Sequence, residues 1–228
     1  MRAKRSRTRR ADPVYAEAVE VQLALRSRLV TSFPNSPVRT VAGADVAFSG
    51  NGRLALGGVL VFSWPELEVL DVSLVAEDVP FPYIPGLLSF REVPVLLTAF
   101  EGLDVRPDVV FCDGQGRAHP RRFGFACHLG VVLGLPTIGC AKSVLVGEFS
   151  GLAPRLGATA PLVDKGEEVG RAVRTRARVE PMYISAGHMM DLDTAVKMVL
   201  AAGRGFRVPE PTRLAHTLLA ETKRLLRK

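Results

Sequence analysis

Apolar residues return at helical spacing at the start of the chain, with Val14, Ala18, Val21, Leu25 and Leu29 separated by charged positions. That period predicts an amphipathic helix ending near Pro34 and packing onto a sheet. The period then changes. Residues 39–49, 54–64 and 67–75 alternate or run apolar between the turn signals Gly50-Asn51-Gly52 and Pro65-Glu66, which predicts three sequential antiparallel strands. Pro80, Pro82 and Pro85 stiffen the next stretch into a loop, and residues 90–103 read as a helix. Strand, helix and strand follow over 108–112, 123–133 and 137–140, a βαβ unit whose two strands should run parallel. Residues 191–202 and 211–228 read as further helices, the last with Lys223, Arg224, Arg227 and Lys228 near its C-terminal dipole. Arg174, Arg176 and Arg178 lie two apart, so a strand there would line up their side chains as a phosphate track or a solvated face.

Composition narrows the picture. A chain of 228 residues, 47% hydrophobic, can bury one substantial core, so a single domain over 13–228 is expected after a basic tail over 1–12. The formal net charge of +7 suggests a nucleic-acid partner, but Arg2, Lys4, Arg5, Arg7, Arg9 and Arg10 supply six of those charges, leaving the body at +1. The tail reads as disordered, and a nucleic-acid surface must rest on local clusters. No apolar run approaches the roughly 20 residues needed to cross a bilayer, and no apolar signal segment follows the N-terminus, so a soluble cytoplasmic protein is expected. Cys112, Cys127 and Cys140 are odd in number and lack metal-ligand spacing, reading as reduced core residues.

The chemistry concentrates in PDVVFCDGQGRAHPRRFG. Val109 to Cys112 have the β-branched and aromatic content of a buried strand, which would deliver Asp113 onto a Gly-rich loop at the strand's C-terminal end. In open α/β sheets that edge binds ligands, and Arg117, His119, Arg121 and Arg122 follow as donors for phosphate oxygens. A strand ending in an Asx turn before a solvated basic loop fits the same residues. Asp45 sits inside the otherwise apolar VRTVAGADVAFSG, where an acid is costly to bury unless paired or bound to a cation. Glu92 follows soon after the proline-flanked Tyr83 in PFPYIPGLLSFRE, and Lys142 closes the small-residue run Gly139-Cys140-Ala141.

These blocks, with PTIGCAKSVLVG and YISAGHMMDLD, resemble in content and order the endonuclease V family, the repair nucleases that nick nucleic acid near deaminated bases, above all deoxyinosine. The resemblance runs from about Val41 to Leu214. It implies a ribonuclease H-like α/β fold, a mixed sheet of antiparallel meander plus parallel strands flanked by helices, with the first and fourth strands adjacent. It also implies convergence of Asp45, Glu92 and Asp113 on a hard cation, Mg²⁺ with Mn²⁺ substituting, as oxygen ligands favour.

Lys142, after small residues that allow close approach, fits either a stabiliser of charge on the scissile phosphate or leaving oxygen or an ordinary strand-end lysine; on the resemblance His188 and Asp193 belong near the metal, and Asp191 reads as an N-cap. His119 donates to a phosphate, orients water or is held by its own backbone. Tyr83, between Pro82 and Ile84, is the expected wedge filling the gap left by a flipped base. Gly86, Leu87, Leu88 and Gly139 look like the family's base pocket. The implied activity is a nick at the second phosphodiester bond 3′ to deoxyinosine, leaving 3′-hydroxyl and 5′-phosphate, on damaged DNA by a monomer. The alternatives are inosine in single-stranded RNA, or non-catalytic binding of damaged nucleic acid.

Overall fold

The computed structural model describes residues 13–34, 36–49 and 52–225. The expectation of a disordered tail over residues 1–12 lies outside them. One eight-stranded mixed sheet organises the chain, in the order β3-β2-β1-β4-β5-β8-β7-β6. Its first half is the expected meander: β1 (Thr40–Phe48), β2 (Leu54–Ser63) and β3 (Val69–Asp78) pair antiparallel. Two parallel strands follow, with β4 (Val109–Cys112) beside β1 and β5 (Thr137–Ala141) beside β4. Both are buried along their whole length, as parallel strands covered on two faces must be. The sheet then turns antiparallel again through β8 (Met182–Ala186), β7 (Glu167–Val173) and β6 (Thr159–Asp164).

Helices cover both faces. On one, α2 (Ser89–Glu101) and α3 (Phe125–Leu133) pack Val93, Leu96, Phe125 and Leu129 against Val59, Val61 and Val110. On the other, α4 (Leu192–Ala201) and α5 (Glu210–Leu225) bring Val196, Val199 and Ala215 against Val41, Phe62, Phe111 and Ile138. Strands β1, β2 and β4 thus feed both cores by their two-residue alternation.

Two expectations are corrected. Helix α1 (Pro13–Arg26) does not lie on a sheet: Ala18 packs with Ile84 and Leu87, and Leu25 with Phe123, Cys127 and Val131, while Val14 and Val21 are exposed. Arg174, Arg176 and Arg178 form no strand face, because β7 ends at Val173 and the chain turns, with Arg178 at φ 59° and Arg174 donating to the Ala153 and Val179 carbonyls. Arg174 still exchanges backbone hydrogen bonds with Gly157 and Ala158, but Arg176 and Arg178 lie past the end of the strand, in the turn.

Candidate active site

Sheet register creates the site. Ala44 stands opposite Cys112 in the parallel β1–β4 ladder, so the next residue of each strand, Asp45 and Asp113, emerges side by side. Val41 and Phe111 face the α4–α5 layer, and alternation turns Asp45 and Asp113 the same way. Helix α5 crosses β1 closely there: a Cβ on Gly43 would lie 2.0 Å from the Pro211 carbonyl oxygen. That approach carries His216 over the edge, where its Nδ1 lies 2.8 Å from Asp45 Oδ2. One ligand atom from each of Asp45, Asp113 and His216 lies within 4.8 Å of the others.

The charges are arranged at a cost. Two carboxylates that close repel by about 3–4 kcal/mol at an effective dielectric of 20. Burial, and then the Asp113 charge, hold Asp45 above the usual carboxylate range, although His216 and the Val46 amide pull it partly back. Glu92, in the first turn of α2 and on the wall of the same cavity as Asp113, stands outside that group of ligand atoms, and loss of water together with the Asp45 and Asp113 charges lifts it to about 8. Lys142, one residue beyond β5, ion-pairs with Asp113 Oδ2. Raised carboxyl groups clustered around a cleft are a signature of a cation or proton-handling site.

Beside the acids opens a cavity of about 390 Å³, lined by Tyr83, Gly86, Leu88 and His119 on one side and by Lys142 to Leu145 on the other, with Glu92 and Asp113 at its wall. Tyr83 is 64% exposed at its mouth. Its loop is nevertheless fixed. The Gly86 carbonyl, on a residue at φ +81°, accepts from Arg121 Nη2 at 2.7 Å, His119 Nε2 at 3.2 Å and Gln22 Nε2 at 3.4 Å. His119 Nδ1 accepts from the Arg121 amide at 3.2 Å, so the ring donates through Nε2. Burial, with Arg121 second, pushes His119 down to about 4 and keeps it neutral. Leu87 and Ile84 root the loop against Ala18 of α1.

Several expected residues stand elsewhere. Ile84 is buried under the loop and Pro82 is exposed beside Tyr83, and neither lines the cavity. Gly139 does not line it either: a Cβ there would meet the Gly116 amide at 2.4 Å and the Gly114 carbonyl at 2.8 Å, so its role is to let the Asp113 loop lie flat on β5. His188 is not brought to the acids. It is buried at the opposite end of β5, where its amide donates to Thr137 Oγ1 at 2.9 Å and its Nδ1 accepts from the Val30 amide at 3.3 Å. Asp193, in the first turn of α4, pairs with Arg171 of β7 at 2.5 Å, two strands beyond β5. Asp191 caps α4 by accepting from the Thr194 amide at 2.8 Å. Among the basic loop residues, Arg117 and Arg122 pair with Glu167, Arg122 also with Asp164, and Arg121 with Gln22, which commits them internally. The residue that sequence reasoning passed over is His216.

The endonuclease V family profile matches residues 22–217. Endonuclease V of Roseiflexus sp. is 49% identical over 203 residues, covering 89% of this chain and 90% of that protein. The crystal structure of endonuclease V from Streptomyces avermitilis superimposes with a TM-score of 0.88 at 40% identity, covering 93% of this chain and 94% of that one. Endonuclease V of Ciona intestinalis, crystallised with a 24mer DNA containing an inosine followed by a ribo-adenosine, superimposes with a TM-score of 0.82 at 29% identity, covering 94% of this chain and 100% of that one.

Proposed function

The chain belongs to the endonuclease V family, and on that premise we propose that it nicks DNA at the second phosphodiester bond 3′ to deoxyinosine, leaving 3′-hydroxyl and 5′-phosphate ends. The observation that carries the reading is the convergence of Asp45, Asp113 and His216 beside a cavity capped by an exposed tyrosine.

The donor set fits a divalent cation. Two carboxylates and an imidazole meet within ligand distance of one point, and Glu92 adds a third acid at the same edge. Asp45, Asp113, Glu92 and His216 would hold the ion; carboxylates select Mg²⁺, and the imidazole makes Mn²⁺ a competent substitute. When bound, such an ion lowers the pKa of a water and offsets charge on the phosphate. The protein's own groups do the rest. Lys142, which ion-pairs with Asp113 at the rim of the cavity, would stabilise charge on the scissile phosphate or its leaving oxygen. Tyr83 enters the stack where the damaged base has left it, on a loop that loses little freedom because three donors already hold the Gly86 carbonyl. A base that pairs poorly costs less to extrude, so the lesion is selected partly by its own weak pairing. Gly86 and Leu88 form the near wall of the space that receives it, and neutral His119 holds that wall in place.

The test is a labelled duplex carrying one deoxyinosine, incubated with protein and Mg²⁺, Mn²⁺ or EDTA. One nick at the stated bond is expected with either cation and none with chelator. Chelator-insensitive nicking would remove the metal mechanism, and binding without nicking would make the protein a lesion binder. A matched RNA oligonucleotide cut much faster than the DNA would overturn the substrate.

A further inference from the structure

The segment that joins α4 to α5 carries Phe206, an aromatic side chain left 47% exposed. A single exposed phenylalanine is ordinary on its own. Its surroundings are not. The Arg213 guanidinium lies over the ring, 4.3 Å from its centroid, and is held there by two 2.7 Å contacts to Glu210. Arg207 donates to the Lys142 carbonyl at 2.6 Å and to the Pro181 carbonyl at 2.8 Å, so the segment is tied to the residue that pairs with Asp113. Arg213 precedes His216 by three positions in α5, which puts the two on one helix face, one turn apart. Between residues 203 and 213 three arginines stand against one glutamate. Arg204 and Arg207 donate to carbonyl oxygens, and among the described residues neither has an acidic ion-pair partner.

We propose that Phe206 is a stacking platform for a base of the nicked strand on the 3′ side of the cut, beyond the nucleotide that immediately follows it. The direction rests on the function proposed above. With the damaged base in the cavity between Tyr83 and Leu145 and the cut to its 3′ side, a strand running on past Asp45 and Asp113 toward His216 comes within one helical turn of Arg213, the residue that holds the Phe206 ring. A ring with a guanidinium fixed over it is held in one orientation and offers its remaining surface to a base of any identity. Arg204 and Arg207 supply the sequence-independent attraction for phosphates that such a track needs.

Two single-stranded inosine oligonucleotides with a common 5′ arm test this, one reaching about two and the other about ten nucleotides past the lesion, the longer spanning a typical single-strand site. Phe206→Ala should raise KM roughly tenfold on the long arm, the scale of one lost base–aromatic stack, with the loss in KM rather than kcat and no change on the short arm. Phe206→Trp should restore the long-arm KM, whereas Phe206→Leu, which keeps apolar bulk without a ring, should not. An unchanged long-arm KM for Phe206→Ala, or an equal loss on both arms, overturns the platform. A parent protein that nicks neither oligonucleotide but nicks the deoxyinosine duplex sinks the platform alone, as does one that nicks both oligonucleotides with no dependence on arm length; a parent that nicks neither the oligonucleotides nor the duplex overturns the functional reading and the platform with it.

Discussion

His216 Nδ1 and Asp45 Oδ2 meet at 2.8 Å across 171 residues of chain. The contact joins the first strand of the sheet to the last helix, and it completes the group of ligand atoms at the sheet edge. His216 is exposed on its free side, so its removal should leave the fold intact. His216→Ala should weaken Mn²⁺ binding by about 10- to 100-fold or more, the range lost when a metal's supporting groups are removed, with the unfolding midpoint little changed. Calorimetric titration with Mn²⁺ beside thermal unfolding checks both. Unaltered affinity would remove His216 from the ligand set.

Glu92 makes a prediction about pH. Its carboxyl sits at about 8 in the folded chain against an ordinary value of 4.5, so across that window the folded state holds a proton that the unfolded state has released. Stability of the metal-free protein should therefore be greatest below about 4.5 as far as this group is concerned, fall as pH rises toward 8, and level off above it. Urea unfolding at graded pH in EDTA reads the slope, and Glu92→Gln should flatten it. Saturating Mg²⁺ should also flatten it, because a cation offsets the charges that hold the proton there.

Gly43 fixes the distance between α5 and the acids. A methyl at that position would lie 2.0 Å from the Pro211 carbonyl oxygen and 2.3 Å from its carbon, so Gly43→Ala must push the start of α5 off β1. The expected cost is about 1–3 kcal/mol, as for overpacking a tight core, together with weaker Mn²⁺ binding as His216 is drawn away from Asp45. Chemical denaturation and metal titration measure the two effects. A stable variant with unchanged affinity would show that the approach of α5 does not set the metal geometry.

Tyr83 is 64% exposed and contributes little to the core. Tyr83→Ala should change stability by no more than about 0.5 kcal/mol. The ratio of nicking at inosine to nicking at undamaged DNA should fall by about tenfold, the scale of one stacking contact. Competition between the two duplexes in one reaction reads that ratio, and an unchanged value would end the wedge role.

The first half of the fold was legible because its signals are local. Alternation between turn residues marks β1 to β3, and the apolar runs ending at Cys112 and Ala141 mark the parallel pair. Register then placed Asp45 beside Asp113, but the adjacency of β1 and β4 behind it was implied by the family resemblance and not by the strand positions. The later strands were harder. β7 carries Glu167, Glu168 and Arg171, and β6 alternates exposed with buried residues over only six positions, so neither stands out as an apolar run. His216 was hidden for a different reason: on an amphipathic helix it reads as one more residue of the solvent face, and only the crossing of α5 over Gly43 gives it a partner. His188 was expected near the metal only on the resemblance of its block, and the antiparallel course of β8 delivers it instead to the start of β5, beside Thr137.

The three hydrogen bonds on the Gly86 carbonyl originate in α1 and in the loop after β4, not in the metal ligands. On the proposed function, substrate range and turnover would therefore be inherited through different parts of the chain. Drift at Gln22 or Arg121 would then retune which altered bases are admitted while the hydrolytic edge stays as it was, leaving a lineage free to broaden its repertoire without relearning the chemistry.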